Sequence, residues 1–328
     1  MEVWNDNKID KVEKKEIRKD SNRIGIALII YTLISFAVIL THMIGVCVYE
    51  IVTSIINELP EPEWEELESR LLESGTSSIV GVVLGTLFLA LLFRKRIRFG
   101  ELFDTVKKPN VMTMGELLCI FLGGQFVFGI GGELLEKLLN VFGYSAMQSL
   151  ETASSVSTTV SMFLYSSVVG PVIEEVVYRG YVLRSFQKYG KVTAIFVSAI
   201  LFGVMHGNLP QGIFAFGVGL VLGYVAMEYS LGWAVFLHII NNCVYCDLLG
   251  MALSGLDEQM QNLIQTGLAS GFAILAVVFL WKNRGHCKEF LKENRAKKKV
   301  CLYIFTSVAI IIFVIAELAL AISDLQPL

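Results

Sequence analysis

Apolar runs of about 15 to 24 residues, separated by polar or charged segments, set the pattern of this chain. About 20 apolar residues in a helix cross the hydrocarbon layer of a membrane, so runs of this length are typical of spanning helices. Strands of a membrane barrel would be shorter and would alternate apolar and polar residues. The predicted spans are 24–46, 78–93, 114–130, 156–187, 192–206, 211–228, 233–249, 264–281 and 300–322.

Basic residues mark one side of this predicted bundle. Of the 27 Lys and Arg residues, 25 fall in four clusters that alternate spans place on the same side, at 1–23, 94–108, 179–191 and 282–299. Positively charged loops stay in the cytoplasm, which predicts a cytoplasmic N terminus and an outward C terminus. The predicted fold is an all-α polytopic membrane protein, a single bundle of about eight or nine transmembrane helices in a plasma membrane.

The chain divides into four predicted segments. Residues 1–23 form a charged cytoplasmic tail, and 24–155 hold the N-terminal helices with an acidic amphipathic segment, 58–73, on the outer side. Residues 156–250 form a core that carries the candidate chemistry. Residues 251–328 hold the C-terminal helices and a basic cytoplasmic loop.

Composition excludes several classes of protein. The chain is 54% hydrophobic and only 17% charged, which is too apolar for a soluble protein of 328 residues. The net charge of −3 says little about partners, but no basic stripe indicates a nucleic-acid partner. The six cysteines have no disulfide-framework spacing, and we expect most of them to be small buried hydrophobic residues.

One stretch places charges at membrane depth. Glu174, Glu175 and Arg179 lie between two apolar runs, where ionisable side chains are costly and tend to mark function. Glu175 and Arg179 are four residues apart, a spacing suited to an ion pair within a helix. Neighbouring helical residues point about 100° apart, so the two glutamates should serve different surfaces. We therefore predict a structural role for Glu175 and a cavity-facing role for Glu174.

Three later residues can reach the level of Glu174, namely His206, His238 and Asn242. Counted from the cytoplasmic ends of their helices, the four lie roughly 12 to 22 Å deep. His238 and Asn242 are four residues apart, so they project from one face of a regular helix. We expect the four side chains to meet inside the bilayer, although Gly170-Pro171 is a potential kink in the helix of Glu174.

These residue types suit hydrolysis of an amide without a serine or cysteine nucleophile. Burial disfavours the ionised form of a carboxylate, which makes it a better base towards water. One histidine can hold that water or shuttle its proton. Asn242 and the other histidine can donate hydrogen bonds to the oxyanion that develops on the attacked carbonyl.

The residues also carry a resemblance. Glu174-Glu175-x-x-x-Arg179, Phe202-x-x-x-His206 and His238-x-x-x-Asn242, in this order and about 30 residues apart, resemble the three motifs of the CPBP family. This family of CAAX proteases and bacteriocin-processing enzymes is also called the Abi family. The resemblance covers roughly residues 160–250, and flanking helices match only in hydropathy.

The resemblance implies an intramembrane glutamic endopeptidase. In that reading Glu174 activates water, His206 assists it, His238 and Asn242 form the oxyanion site, and Glu175, Arg179 and Phe202 support them. The implied substrate is a membrane-associated peptide or protein, in some cases prenylated at a CAAX sequence, in contact with the lipid bilayer. Other members of the family process peptides or confer bacteriocin immunity.

Other interpretations stay open at this point. The intramembrane carboxylate and histidines also suit a proton- or cation-coupled transporter, although no internal repeat is evident. A noncatalytic immunity or scaffold protein would keep the same fold, with the polar residues as buried packing partners. Glu174 and the two histidines could supply three zinc ligands, but the H-E-x-x-H pattern is absent and we expect no metal or other cofactor. Cys243-x-x-Cys246 lies in an apolar helix and is expected to pack.

Overall fold

The computed structural model describes residues 11–58, 60, 63–295 and 299–328, and most of these are helical. Thirteen helices and two short strands follow one another in this part of the chain. The helices are α1 Lys11–Ile56, α2 Trp64–Leu72, α3 Thr76–Phe93, α4 Val111–Val141, α5 Met147–Ser154, α6 Val160–Tyr189, α7 Lys191–Val204, α8 Leu209–Glu228, α9 Leu231–Leu253, α10 Glu258–Lys282, α11 Arg284–Glu293, α12 Val300–Phe305 and α13 Val308–Ser323. The strands are β1 Tyr144–Ser145 and β2 Gln326–Pro327.

The predicted all-α polytopic fold is confirmed. Seven of the described helices are long and apolar enough to cross a membrane, namely α1, α3, α4, α6, α8, α9 and α10. Two further apolar helices, α7 and α13, are shorter. The 14 residues of α7 rise about 21 Å, less than a hydrocarbon layer of about 30 Å, so α7 reaches both faces only together with its flanking turns.

The first helix begins well before its apolar run. It contains 46 residues and rises roughly 70 Å, about twice the thickness of the hydrocarbon layer. Ile17 and Ser21, in its first turns, are fully buried against other helices. The charged tail predicted over 1–23 is therefore helical from residue 11 onwards and packs against the bundle, because the apolar and polar residues of these turns find packing partners. Residues 1–10 of that tail lie outside the described residues.

A buried carboxylate holds this extension of α1 to the rest of the bundle. Asp20 accepts hydrogen bonds from Arg96 Nη1 at 2.9 Å and from the hydroxyl of Tyr189 at 3.0 Å, and Lys188 Nζ lies 2.7 Å from it. These partners come from the ends of α3 and α6, which the charge pattern assigns to the cytoplasm together with the start of α1. The structure brings these three ends together.

The opposite end of the bundle is closed by the C terminus. Strands β1 and β2 pair in an antiparallel manner, with Tyr144 opposite Pro327, and the Leu328 N–H donates to the Gly143 carbonyl at 3.0 Å. The chain therefore ends beside the loop that follows α4, and the charge pattern assigns both to the outer side.

The last predicted span, 300–322, is not one continuous helix. It is divided into α12 and α13 around Ser307, whose backbone is extended. The Asn22 side chain of α1 accepts the N–H of Ala309 at 3.0 Å, which satisfies one of the free donors at the start of α13. Gly25 lies against the same turn, where a Cβ atom would come within 2.6 Å of the Ala309 carbonyl carbon. The break thus lets α1 and α13 touch at their backbones.

The helix of Glu174 runs on through Gly170-Pro171. Two π-turns, Tyr165–Val169 and Val176–Val182, flank the segment of α6 that contains this dipeptide. In the first π-turn the Gly170 N–H donates to the Tyr165 carbonyl. Pro171 has no N–H to give, and it follows directly where the backbone has already changed its pairing.

Two smaller expectations have mixed outcomes. The acidic segment forms the surface helix α2, in which Leu67 is the buried residue, while residues 59, 61 and 62 of the predicted 58–73 lie outside the described residues. All six cysteines are free, and none is fully buried, so the expectation that most are buried is wrong. Lipid is as apolar as a protein core, so a small apolar side chain gains little from burial in a membrane protein.

We expect Asp20→Asn to destabilise the bundle by about 1–3 kcal/mol, because it weakens three charge-assisted contacts of a buried acceptor. The side chains of Arg96 and Lys188 are exposed to water, so we expect a loss of unfolding free energy in the lower part of this range. Thermal unfolding in detergent measures the effect. Glu16→Gln is the matched control, since Glu16 is exposed and contacts the same Lys188. An equal fall in the melting temperature of both variants would contradict the anchoring role of Asp20.

Candidate active site

The ring of Phe202 lies at the centre of the predicted site. This side chain of α7 is 1% exposed and belongs to the main hydrophobic core. Its ring centroid is 4.9 Å from that of His206 and 6.0 Å from that of His238, both nearly perpendicular to it. The guanidinium carbon of Arg179 lies 4.1 Å from the same centroid. One apolar ring therefore fixes the spacing of three polar groups from α6, from the turn that follows α7 and from α9.

The predicted ion pair between Glu175 and Arg179 is present and entirely shielded. Arg179 Nη1 lies 3.0 Å from Glu175 Oε1, and both side chains are 0% exposed. Arg179 Nη2 donates to the Gly219 carbonyl of α8 at 3.4 Å. A Cβ at Gly219 would come within 3.2 Å of that nitrogen, so glycine leaves the space that the guanidinium occupies. The stacked ring of Phe202 adds a cation–π contact.

Both glutamates approach the imidazole of His238. His238 Nδ1 donates to Glu175 Oε1 at 3.0 Å, and His238 Nε2 lies 3.8 Å from Glu174 Oε2. The expectation that neighbouring glutamates cannot serve one surface is wrong here. An imidazole presents nitrogen atoms on two edges, so two carboxylates that diverge along α6 can reach the same ring.

Glu174 differs from Glu175 in access. Its side chain is 20% exposed, whereas that of Glu175 is fully buried. The 3.8 Å separation from His238 is too long for a direct hydrogen bond, so the Glu174 oxygens can also accept from a water molecule. Tyr31 of α1 and Tyr165 of α6 lie close enough for the charge of Glu174 to act on them.

His206 is oriented by its own helix. Its Nδ1 lies 2.8 Å from the Phe202 carbonyl, and a carbonyl can only accept, so Nδ1 carries the proton of the neutral ring. The other nitrogen, Nε2, then has a free lone pair. The rings of His206 and His238 both lie against the ring of Phe202, so His206 belongs to the same group of polar side chains.

Asn242 is linked to Glu174 through the backbone of α6. Its Nδ2 donates to the Ser166 carbonyl at 3.0 Å, and its Oδ1 accepts from Asn241 Nδ2 at 2.9 Å. Asn241 in turn accepts from Gln125 Nε2 of α4 at 2.8 Å. An amide nitrogen carries two protons, so one N–H of Asn242 remains for another acceptor.

His238 and Asn242 do not share one regular α-helix. The backbone of α9 changes from α to π over Ile240–Leu248, between the two residues. This alters the angular spacing that a regular helix gives to residues four apart. The structure thus brings Glu174, His206 and His238 around Phe202, while Asn242 approaches from one turn further along α9.

Sequence reasoning missed several polar residues near this site. Asp247 of α9 is buried and contacts the turn of α6 that holds Ser166. Gln125 and Tyr31 come from helices outside the predicted core. Asp247 had a visible signal, since it is the only acidic residue in α9. The other two are ordinary polar residues in apolar helices, and nothing in their sequence context separates them from packing residues.

Within the described ranges, no group of three or more His, Cys, Asp or Glu side chains is arranged to hold a metal ion. The Nδ1 atoms of His206 and His238 are both already hydrogen-bonded. Cys246 Sγ lies 3.8 Å from the amide nitrogens of Gln125 and Asn241, at the edge of the same polar cluster.

Comparison with known proteins converges on the same part of the chain. A family model described as type II CAAX prenyl endopeptidase Rce1-like matches residues 156–244, which contain all four predicted catalytic residues. "Putative membrane peptidase YdiL" of Bacillus subtilis (strain 168) is 24% identical over 187 residues, 54% of this chain and 70% of that protein.

A second relative has similar coverage. UPF0177 protein YbdJ of Lactococcus lactis subsp. lactis (strain IL1403) is 24% identical over 169 residues, 49% of this chain and 71% of that protein. No solved structure matches the chain significantly.

Substitutions at the two neighbouring glutamates should have very different effects on the free energy of unfolding. Glu175→Gln leaves Arg179 buried without a counter-charge, and we expect it to lose about 3–5 kcal/mol of unfolding free energy. Glu174→Gln keeps a partly exposed side chain of the same shape and should change stability by less than about 1 kcal/mol. Melting temperatures of both variants in one detergent compare the two. Equal melting temperatures would show that the division between the glutamates is wrong.

Proposed function

We propose that this multi-pass bacterial membrane protein, whose residues 156–244 match the Rce1-like CAAX prenyl endopeptidases, is an intramembrane glutamic endopeptidase. Glu174 is the base that activates water. His206 assists it, and His238 with Asn242 binds the oxyanion. The observation that carries the proposal is the unequal environment of the two glutamates around His238. Glu175 is fully buried and contacts Arg179 and His238 through Oε1, whereas Glu174 is accessible.

Two acceptors are available to orient one water molecule. The carboxylate of Glu174 can take one proton of the water, and the free Nε2 of His206 can accept the other hydrogen. A water molecule bound through both of its hydrogens presents a lone pair of its oxygen to the carbonyl carbon of the substrate. That carbon lies between the water molecule and the donors that bind the oxyanion. Fixing the nucleophile in this way supplies much of the rate enhancement that positioning can give.

Two donors are available on the other side of that carbonyl. Asn242 retains one N–H, as its second is bound to the Ser166 carbonyl. His238 donates through Nδ1 to Glu175, so it can donate through Nε2 only as an imidazolium. Donors held in place in a site of low dielectric stabilise a developing oxyanion strongly.

The proposed reaction is hydrolysis of a peptide bond by the activated water. A bond forms between the water oxygen and the peptide carbonyl carbon, the water proton passes to Glu174, and the carbonyl oxygen becomes an oxyanion held by His238 and Asn242. Collapse of this intermediate breaks the carbon–nitrogen bond. The proton on Glu174 passes to the leaving amine, and the enzyme returns to its starting state with a carboxylic acid product.

The substrate that fits this site is a membrane-associated peptide. Polar groups at membrane depth, held by apolar helices, are accessible to a chain that lies in or against the bilayer. The family supports a CAAX-like sequence as one such substrate, and a prenyl group on it would add affinity for the surrounding lipid. We propose metal-independent hydrolysis of this class of substrate.

The activity test is a quenched fluorogenic peptide that ends in a prenylated CAAX sequence, with the unprenylated peptide beside it, in proteoliposomes. We expect Glu174→Gln to lower kcat by at least about 10³-fold, because the base is lost while its shape is kept. His206→Ala should lower kcat by about 10²- to 10⁴-fold. Unchanged melting temperatures show that both variants are folded.

Native substrates are identified by comparing membrane and secreted peptides from cells that carry the wild-type protein or Glu174→Gln. Peptides that accumulate only with the wild-type protein define the cleavage sites. Full activity of Glu174→Gln on every peptide would contradict the assignment of the base.

Metal independence is tested separately. We expect the purified protein to keep its activity in excess EDTA and 1,10-phenanthroline and to contain no stoichiometric zinc, as the proposed chemistry uses only side-chain acids and bases. Metal content is measured by mass spectrometry of the same sample. Activity that falls with the chelator and returns in proportion to added zinc would refute the metal-free mechanism.

A further inference from the structure

We propose that Asp247 is a positioning residue that holds the amide of Asn242 in place through Ser166. This inference rests on the proposed function, because it gives the oxyanion donor a support outside the matched motifs. Asp247 lies five residues after Asn242 in α9, and it is 3% exposed. It has no role in the proposed chemistry itself, so its burial at membrane depth requires another reason.

Three donors converge on the Asp247 carboxylate. Oδ1 accepts the backbone N–H of Ser157 at 2.9 Å, and Oδ2 accepts the hydroxyl of Ser166 at 3.0 Å. The hydroxyl of Ser167 makes a short hydrogen bond to the same Oδ2. An ionised carboxylate accepts only, and bonds of this kind are roughly twice as strong as neutral ones. One side chain of α9 thus clamps the first π-turn of α6.

The serine hydroxyls extend this clamp. Ser157 Oγ and Ser166 Oγ lie 2.8 Å apart. Ser166 gives its proton to Asp247, so Ser157 is the donor of this pair. The segment that enters α6 and the π-turn inside it are therefore tied to one carboxylate by three hydrogen bonds and to each other by a fourth.

The clamp reaches the oxyanion donor through one carbonyl. Asn242 Nδ2 donates to the carbonyl of Ser166, whose side chain Asp247 holds. The amide oxygen of Asn242 is held from the other side by Asn241, which Gln125 holds in turn. With both ends fixed, the remaining N–H of Asn242 points in one direction. A donor displaced by about 1 Å loses much of its catalytic effect, so this support bears on the reaction rate.

The same turn also carries the base. Glu174 lies seven residues after Ser167, about two turns further along α6. A Cβ at Gly170, between them, would lie 3.8 Å from Glu174 Oε1, so Glu174 folds back along its own helix towards the clamped turn. Asp247 therefore ties the helix of the base to the helix of the oxyanion donors.

The test compares Asp247→Asn with wild-type protein on the prenylated quenched peptide in proteoliposomes. We expect kcat to fall about 10- to 100-fold, since the donor is displaced but not removed. KM should stay within about twofold, because the clamp does not contact the substrate. Ser167→Ala removes one clamp hydrogen bond and leaves the carboxylate, so it keeps the test informative if Asp247→Asn fails to fold. We expect it to lower kcat about 3- to 10-fold.

A double-mutant cycle separates positioning from general stabilisation. If Asp247 acts through Asn242, adding Asp247→Asn to Asn242→Ala should lower kcat by less than about threefold further. The matched control is Glu317→Gln. Glu317 is a buried acid of α13 that accepts from Thr32 at 3.3 Å, and it has no hydrogen bond to the clamp among the described residues. We expect this variant to keep kcat within about twofold.

Three outcomes would overturn the proposal. They are wild-type kcat in Asp247→Asn, a full additional loss on the Asn242→Ala background, and an equal loss in Glu317→Gln. Backbone hydrogen exchange of residues 157–170 tests the clamp without an activity assay. We expect it to become faster in Asp247→Asn and not in Glu317→Gln. Failure of the proposed function is recognised separately, since Glu174→Gln would then remain active while the exchange experiment still decides whether the clamp exists.

Discussion

A salt bridge sealed from solvent, between Glu175 and Arg179, is the interaction on which the arrangement of this site depends. Two bare charges at this depth would be prohibitive, and the structure surrounds them with the Phe202 ring, the Gly219 carbonyl and the imidazole of His238. Each of these partners comes from a different helix. The need to satisfy one buried pair therefore fixes how α6, α7, α8 and α9 meet, and the chemistry is built on the surfaces that remain.

Charge balance links this support to reactivity. Glu175 is occupied by Arg179 and by His238, so it is unavailable as a base. Glu174 is its neighbour on the chain, yet it stays accessible and lies against the other nitrogen of the same imidazole. A single turn of helix thus holds one fully buried carboxylate and one accessible carboxylate, and both approach the imidazole of His238.

Irregular helix geometry is concentrated at the same place. Both π-turns of α6 and the π-turn of α9 lie within a few residues of Glu174, Glu175 and Asn242. A π-turn alters backbone pairing and shifts the direction of the side chains that follow, and such turns are frequent at functional sites. Here they allow the Ser166 carbonyl to accept a side-chain amide and let the helix continue through Pro171.

The sequence by itself determined the membrane class and the order of the apolar helices, and it singled out Glu174, His206, His238 and Asn242 as candidate site residues. Hydropathy and charge spacing describe each helix separately, and these features can be predicted from single helices. Contacts between helices remained undetermined. Only the tertiary structure decided that both glutamates reach His238, that Phe202 spaces the polar groups, that α1 is ordered from Lys11, and that Asp247 clamps α6. Such contacts join side chains that are distant in sequence, and π-turns change the directions of some of these side chains. A regular helical period predicts neither the contacts nor the π-turns.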